Sequence, residues 1–148
     1  MNPHLSLRVH LICATRDRRP WLDPEWRTRL FACAAMTIAR KGGRLLCAGA
    51  VRDHLHLYVE ISATMTIAKL VSAVMSDTAR WIHHTFPHRR DFRWQRGYGA
   101  FSITASQDAS LRDYIRNQEP RLNETPAGEY QSLLERHGIE YELTLSSS

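Results

Sequence analysis

His54 and His56 flank a leucine in the segment DHLHLYVEI. On an extended chain, residues two apart project from the same face, about 6.6 Å apart at ordinary strand rise. Two imidazoles set side by side can chelate a divalent cation or grip one phosphate. Leu55, Leu57 and Val59 then face the other way, toward a core. The plainer reading is a pair of surface or core histidines, and this motif alone leaves both open.

Two further groups could take part in chemistry. Tyr114 and Gln118, in LRDYIRNQE, are four residues apart and share one helix face beside an apolar stripe of Leu111 and Ile115. A tyrosine there also suits a core. In the stretch 89–104, Arg93 and Arg96 alternate with Phe92, Trp94 and Tyr98, and Gly97 and Gly99 flank the tyrosine. Arginines interleaved with aromatics suit single-stranded nucleic acid, because bases stack on rings while guanidinium groups meet phosphates. A glycine-bearing turn into an edge strand would look the same.

These residues need elements to position them. Residues 5–13 alternate as a strand, with Leu5, Leu7, Val9 and Leu11 on one face. A basic loop, RDRRP, follows. Asp23-Pro24 reads as an N-cap and first helical position, and Gly42-Gly43 closes that helix. Strands are expected over 44–51 and 54–61, joined tightly at Arg52-Asp53. Thr66 can cap a long helix whose stripe runs from Ile67 to Ile82 and which Pro87 stops. A short strand through 100–104 comes next, then a helix over about 107–119 with Ser106 as cap, and a last short helix over 129–137. The order β-α-β-β-α-β-α predicts an α+β fold: a ferredoxin-like or RRM-like split-βαβ antiparallel sheet, with helices on one face and an added C-terminal helix carrying the tyrosine. His10 falls on the polar face of the first strand, beside the third.

Composition sets the class. At 148 residues with 43% hydrophobic and 24% charged, the chain is one globular domain's worth. Its longest apolar run is six residues, Phe31 to Met36, so neither a membrane span nor a secretory signal is expected. Cys13, Cys33 and Cys47 are odd in number and widely spaced, which suggests a reducing cytosol and no disulfide framework. Of the 20 basic residues, 18 are arginine; residues 1–121 carry a net charge of +9 and residues 122–148 one of −4. An arginine-rich body with an acidic tail suits phosphate recognition, and a solvated basic surface would serve equally.

Taken together, TRDRRP, HLHLYVEI, WQRGYGAFSIT and YIRNQE, in that order on those elements, closely resemble the single-tyrosine HUH transposases, the insertion sequence 200/605 group and its REP-associated relatives. The resemblance implies one HUH transposase domain over 1–148, with about 121–148 forming an acidic C-terminal helix and tail. It places the nucleophile at Tyr114 and the metal ligands at His54, His56 and Gln118, with Mg²⁺ or Mn²⁺ as cofactor. It implies a DNA transposase that cleaves and rejoins single-stranded DNA at hairpin-forming element ends through a 5′-phosphotyrosine. Arg16, Arg18, Arg19, Arg93, Trp94, Arg96 and Tyr98 become DNA-binding candidates. A homodimer in a bacterial or archaeal cytoplasm is expected. The chain departs from the pattern at Pro120-Arg121-Leu122, where many relatives carry paired histidines, and at Cys13, where tryptophan is common.

Two hydrolase readings fit poorly. A histidine-triad enzyme needs a third alternating histidine, and position 58 is tyrosine; a two-histidine phosphoesterase needs two separated H-x-[ST] motifs, and only His83-His84-Thr85 offers one. The remaining alternative is a non-catalytic module, domesticated from such a transposase, that binds single-stranded nucleic acid on its sheet.

Overall fold

A computed structural model describes residues 7–117 of the chain. Four strands form one sheet: β1 (Arg8–Ala14), β2 (Arg44–Val51), β3 (His54–Glu60) and β4 (Gly99–Ser102). Three helices join them: α1 (Arg27–Arg40), α2 (Ile67–Thr85) and α3 (Asp108–Arg116). The sheet order is β2-β3-β1-β4 with every neighbouring pair antiparallel. This is the split-βαβ arrangement expected from the sequence, with β1 and β3 at the centre. No helix among the described residues is long and apolar enough to cross a membrane.

Alternation along β3 gives the sheet two different faces. Leu55, Leu57 and Val59 are fully buried against α1 and α2, together with Leu30, Ile38, Leu70 and Val74. Each such side chain contributes about 1.5–3 kcal/mol by leaving water. His54, His56 and Tyr58 point to the opposite face, where Ile12, Leu111, Tyr114 and Ile115 form a second, smaller cluster under α3. α1 and α2 are also tied by polar contacts, with Thr37 Oγ1 donating to Asp77 Oδ2 at 2.8 Å and Arg40 pairing with the same carboxylate.

Some local expectations change. The strand expected over 5–13 begins at Arg8 and runs to Ala14; Leu7 precedes it and is exposed, and Leu5 lies outside the described residues. Asp23 occupies the N-terminal position of a 3-10 turn leading into α1, yet its side chain makes no cap. Its carboxylate instead accepts from the Trp26 indole at 3.2 Å and, through both oxygens, from Arg89 at 3.0 Å, a contact in which donor and acceptor are both charged. Thr66 caps α2 as expected, accepting from the Lys69 amide at 3.2 Å. The expected helix over 129–137 and the acidic tail lie outside the described residues.

Candidate active site

β3 carries the two histidines toward α3 at a register that sets His56 opposite Ile12 on β1 and Gly49 on β2. Their rings stack at 22° with centroids 6.1 Å apart, and both are buried, at 2% and 1% exposure. His54 Nδ1–H donates to Asp53 Oδ1 at 2.8 Å. Burial pushes the Asp53 carboxyl up, but the hydrogen bond from His54, with the guanidinium charge of Arg18 nearby, outweighs it and holds the group below the usual carboxylate range. The Arg18 guanidinium meets the other nitrogen of the same ring, His54 Nε2. His56 Nδ1 lies 3.1 Å from Nε2 of His10, which is itself wholly buried on β1.

Tyr114 completes the group from α3. Its ring meets His56 edge-on at 5.8 Å between centroids, and the side chain is 3% exposed. Three local features hold α3 there. Thr104 and Gln107 form a capping box at its entrance, with the Gln107 side chain accepting from the Thr104 amide at 2.9 Å. That box displaces the cap expected at Ser106 and ends β4 two residues early, since Thr104 cannot serve strand and helix together. Asp108, at the first position of α3, accepts from Tyr58 Oη at 2.8 Å, Arg112 Nε at 3.0 Å and Arg8 at 3.2 Å. The Tyr58 bond, followed by that of Arg112, holds the Asp108 carboxyl below its ordinary value. Finally, Gly49 presents bare backbone to Ile115 at the point of closest approach.

A cleft of about 170 Å³ opens at His54, bordered by Arg18, Gln95, Arg96 and Tyr98. Arg18 reaches it from a turn in which Asp17 and Arg18 both adopt left-handed backbone at φ 56°. Such conformations cost on the order of 1–3 kcal/mol each in non-glycine residues, and here the Asp17 amide bonds the Gln95 side chain at 3.1 Å. Arg16, Arg19 and Arg93 surround a neighbouring hollow together with Trp21, Asp17 and Asp91. Trp94 is half-buried, its indole donating to Thr78 Oγ1 at 3.0 Å and its ring meeting Phe92 edge-on. Tyr98 is 42% exposed. Gln118 lies outside the described residues.

Among the described residues, no cluster of three or more His, Cys, Asp or Glu side chains is gathered to hold a metal ion. What β3 offers is a pair of imidazoles, the borderline donors that suit Mn²⁺ better than Mg²⁺. His54 Nε2 is already met by the guanidinium of Arg18, which an ion bound at that nitrogen would have to displace. Asp53 and Gly49 are participants that the sequence reading did not single out. An acidic residue directly before the first histidine was the available signal for Asp53; the role of Gly49 depends on how α3 folds back.

The comparisons agree with this architecture. Residues 4–118 match the family model described as "Transposase IS200 like". The chain is 25% identical over 134 residues to the transposase for insertion sequence element IS200 of Salmonella typhimurium, covering 86% of this chain and 85% of that protein, and equally to its Salmonella typhi counterpart. A solved structure assigned as a transposase from Deinococcus radiodurans superposes with a TM-score of 0.66 at 24% identity, over 80% of this chain and 95% of that one. A REP-associated tyrosine transposase solved with a REP hairpin bound shares the fold at a TM-score of 0.57 and 12% identity, over 78% of this chain and 68% of its own. The histidine face and the tyrosine helix thus sit within a matched region that covers most of the protein, and the chain belongs to the IS200-like transposase family.

Proposed function

We propose that this DNA transposase cleaves and rejoins single-stranded DNA by direct attack of Tyr114 on a phosphodiester. The observation that carries the reading is the meeting of the Tyr114 and His56 rings at 5.8 Å, beside His54 and an arginine-bordered cleft. Phosphoryl transfer asks for a nucleophile, positive charge on the non-bridging oxygens and a surface that positions the strand. Tyr114 supplies the first, and Arg18 and Arg96 border the cleft where a phosphate would lie.

In the step itself, the Tyr114 oxygen forms a bond to phosphorus while the bond to the 3′ oxygen breaks. The phenolic proton is passed on, and the departing oxygen leaves protonated as a 3′-OH. The product is a 5′-phosphotyrosine, and attack by a 3′-OH reverses the reaction without ATP. His54 and His56, with Gln118, are the residues that would hold Mg²⁺ or Mn²⁺; such an ion supplies Lewis-acid charge to the phosphate oxygens. A strand with a hairpin at its end is the substrate class this reading favours, by analogy with the REP hairpin bound to the structural neighbour.

The test is covalent trapping. Labelled single-stranded DNA from the flanks of the gene is incubated with wild type and Tyr114→Phe, with Mn²⁺, with Mg²⁺ and with chelator, then run on denaturing gels. The expected result is a denaturant-resistant adduct that needs metal and disappears in Tyr114→Phe. Binding without any adduct in the wild type would overturn the nuclease reading in favour of a non-catalytic module on the same fold.

A further inference from the structure

The two histidines of β3 are alike in one respect: each ring has its Nδ1 engaged by a buried partner. For His54 that partner is Asp53 Oδ1 at 2.8 Å, and for His56 it is His10 Nε2 at 3.1 Å. An ionised carboxylate can only accept, so His54 must carry its proton on Nδ1. The opposite nitrogen agrees, because a guanidinium N–H of Arg18 needs a lone pair at His54 Nε2. A neutral imidazole has one donor and one acceptor nitrogen, and the hydrogen bond at one fixes the character of the other.

We propose that Asp53 and His10 are positioning residues that hold His54 and His56 as Nδ1–H tautomers, so that both Nε2 lone pairs are presented together. His10 does this by accepting the His56 Nδ1 proton at its own Nε2, which requires His10 to be an Nδ1–H tautomer as well. The strand register makes the contact possible: His10 and Ile12 share one face of β1, and Ile12 pairs directly with His56. His10 is fully buried and also faces the Phe101 ring at 6.4 Å, so its ring is confined on two sides. Hydrogen bonds of this kind orient a ligating ring and raise its basicity, and their loss costs roughly 10- to 100-fold in metal affinity. The assignment deepens the proposed function, since it rests on His54 and His56 being the cation-binding pair.

The experiment reads tautomers and affinity separately. Nitrogen-15 spectra of the histidine side chains are recorded on metal-free wild type, His10→Leu, His10→Gln and Asp53→Leu, and Mn²⁺ binding to each is titrated by electron paramagnetic resonance. The expected wild-type spectrum has both rings protonated at Nδ1. His10→Leu is expected to release His56 to the Nε2–H form, leave His54 unchanged and weaken Mn²⁺ binding by about 10- to 100-fold. Asp53→Leu does the converse, and His10→Gln, whose side-chain oxygen can accept the same proton, restores the His56 tautomer. A wild-type ring protonated at Nε2 overturns the assignment even if no variant folds, as does a His56 tautomer unmoved in folded His10→Leu. Wild type that shows both tautomers yet takes up no Mn²⁺ upholds the positioning roles and overturns the metal reading alone.

Discussion

A Cβ placed on Gly49 would lie 2.4 Å from the carbonyl oxygen of Ile115 and 2.8 Å from its Cγ2. β2 and α3 therefore touch backbone to backbone, one residue from Tyr114, and on the strand position paired with His56. Gly49→Ala must push α3 off the sheet, since a carbonyl cannot swing aside as a flexible side chain can. Overpacking of this kind destabilises by about 1–3 kcal/mol. The effect on strand cleavage is expected to be larger, on the order of 100-fold for a 1 Å misplacement. Thermal melts and single-turnover cleavage on the same preparation would separate the two; cleavage at the wild-type rate would mean that α3 does not set the tyrosine.

Asp108 fastens the other end of α3, and its carboxyl is held below the ordinary value chiefly by the Tyr58 hydrogen bond. A depressed native pKa means stability that is fully present above the unfolded value, near 3.9, and lost as pH falls through the native one. Asp108→Asn should melt earlier than wild type at pH 7. The gap should close on acidification below about pH 4. Melting curves from pH 7 down to pH 2.5 check this, and a gap that stays constant would assign the difference to shape alone.

Arg96 borders the His54 cleft from the segment between α2 and β4. If it meets a DNA phosphate, Arg96→Ala weakens single-strand binding, and the slope of log affinity against log salt falls by roughly 0.7. Binding isotherms at four salt concentrations give that slope. Loss of affinity with an unchanged slope would indicate a contact to a base instead.

Cys13 is wholly enclosed on the helix-covered face, and burial pushes its thiol up to about 12. Reaction requires the thiolate, so native Cys13 should resist iodoacetamide at pH 8 and become labelled on unfolding. Cys33 and Cys47 are half-buried, with thiols raised less completely. Mass-spectrometric mapping of the alkylated peptides reads all three. Rapid labelling of native Cys13 would show that β1 opens readily.

The β2–β3 hairpin was legible because its signals are local. The alternation in HLHLYVEI and the paired runs at 44–51 and 54–61 put β2 and β3 where they are found, and the capping hydroxyl of Thr66 placed α2. Asp23 was less legible, since its partner Arg89 is brought near only by the folded chain; the Thr104–Gln107 capping box is a local T-x-x-Q signature, passed over in expecting a cap at Ser106. The histidine pair and Tyr114 could be named from the sequence, but not their meeting. That depends on a nine-residue helix crossing the sheet on the side away from α1 and α2, a long-range closure for which Gly49 is the enabling residue.

The two faces of the sheet divide the protein's obligations. Leucines and valines beneath α1 and α2 form the main core that keeps the chain folded; under the proposed function, the histidines and tyrosine on the α3 side carry the chemistry. Because adjacent residues of β3 belong to different faces, a single substitution there touches one obligation and spares the other. Lineages of such a transposase can thus revise the reactive side, or let it decay, while inheriting an intact scaffold.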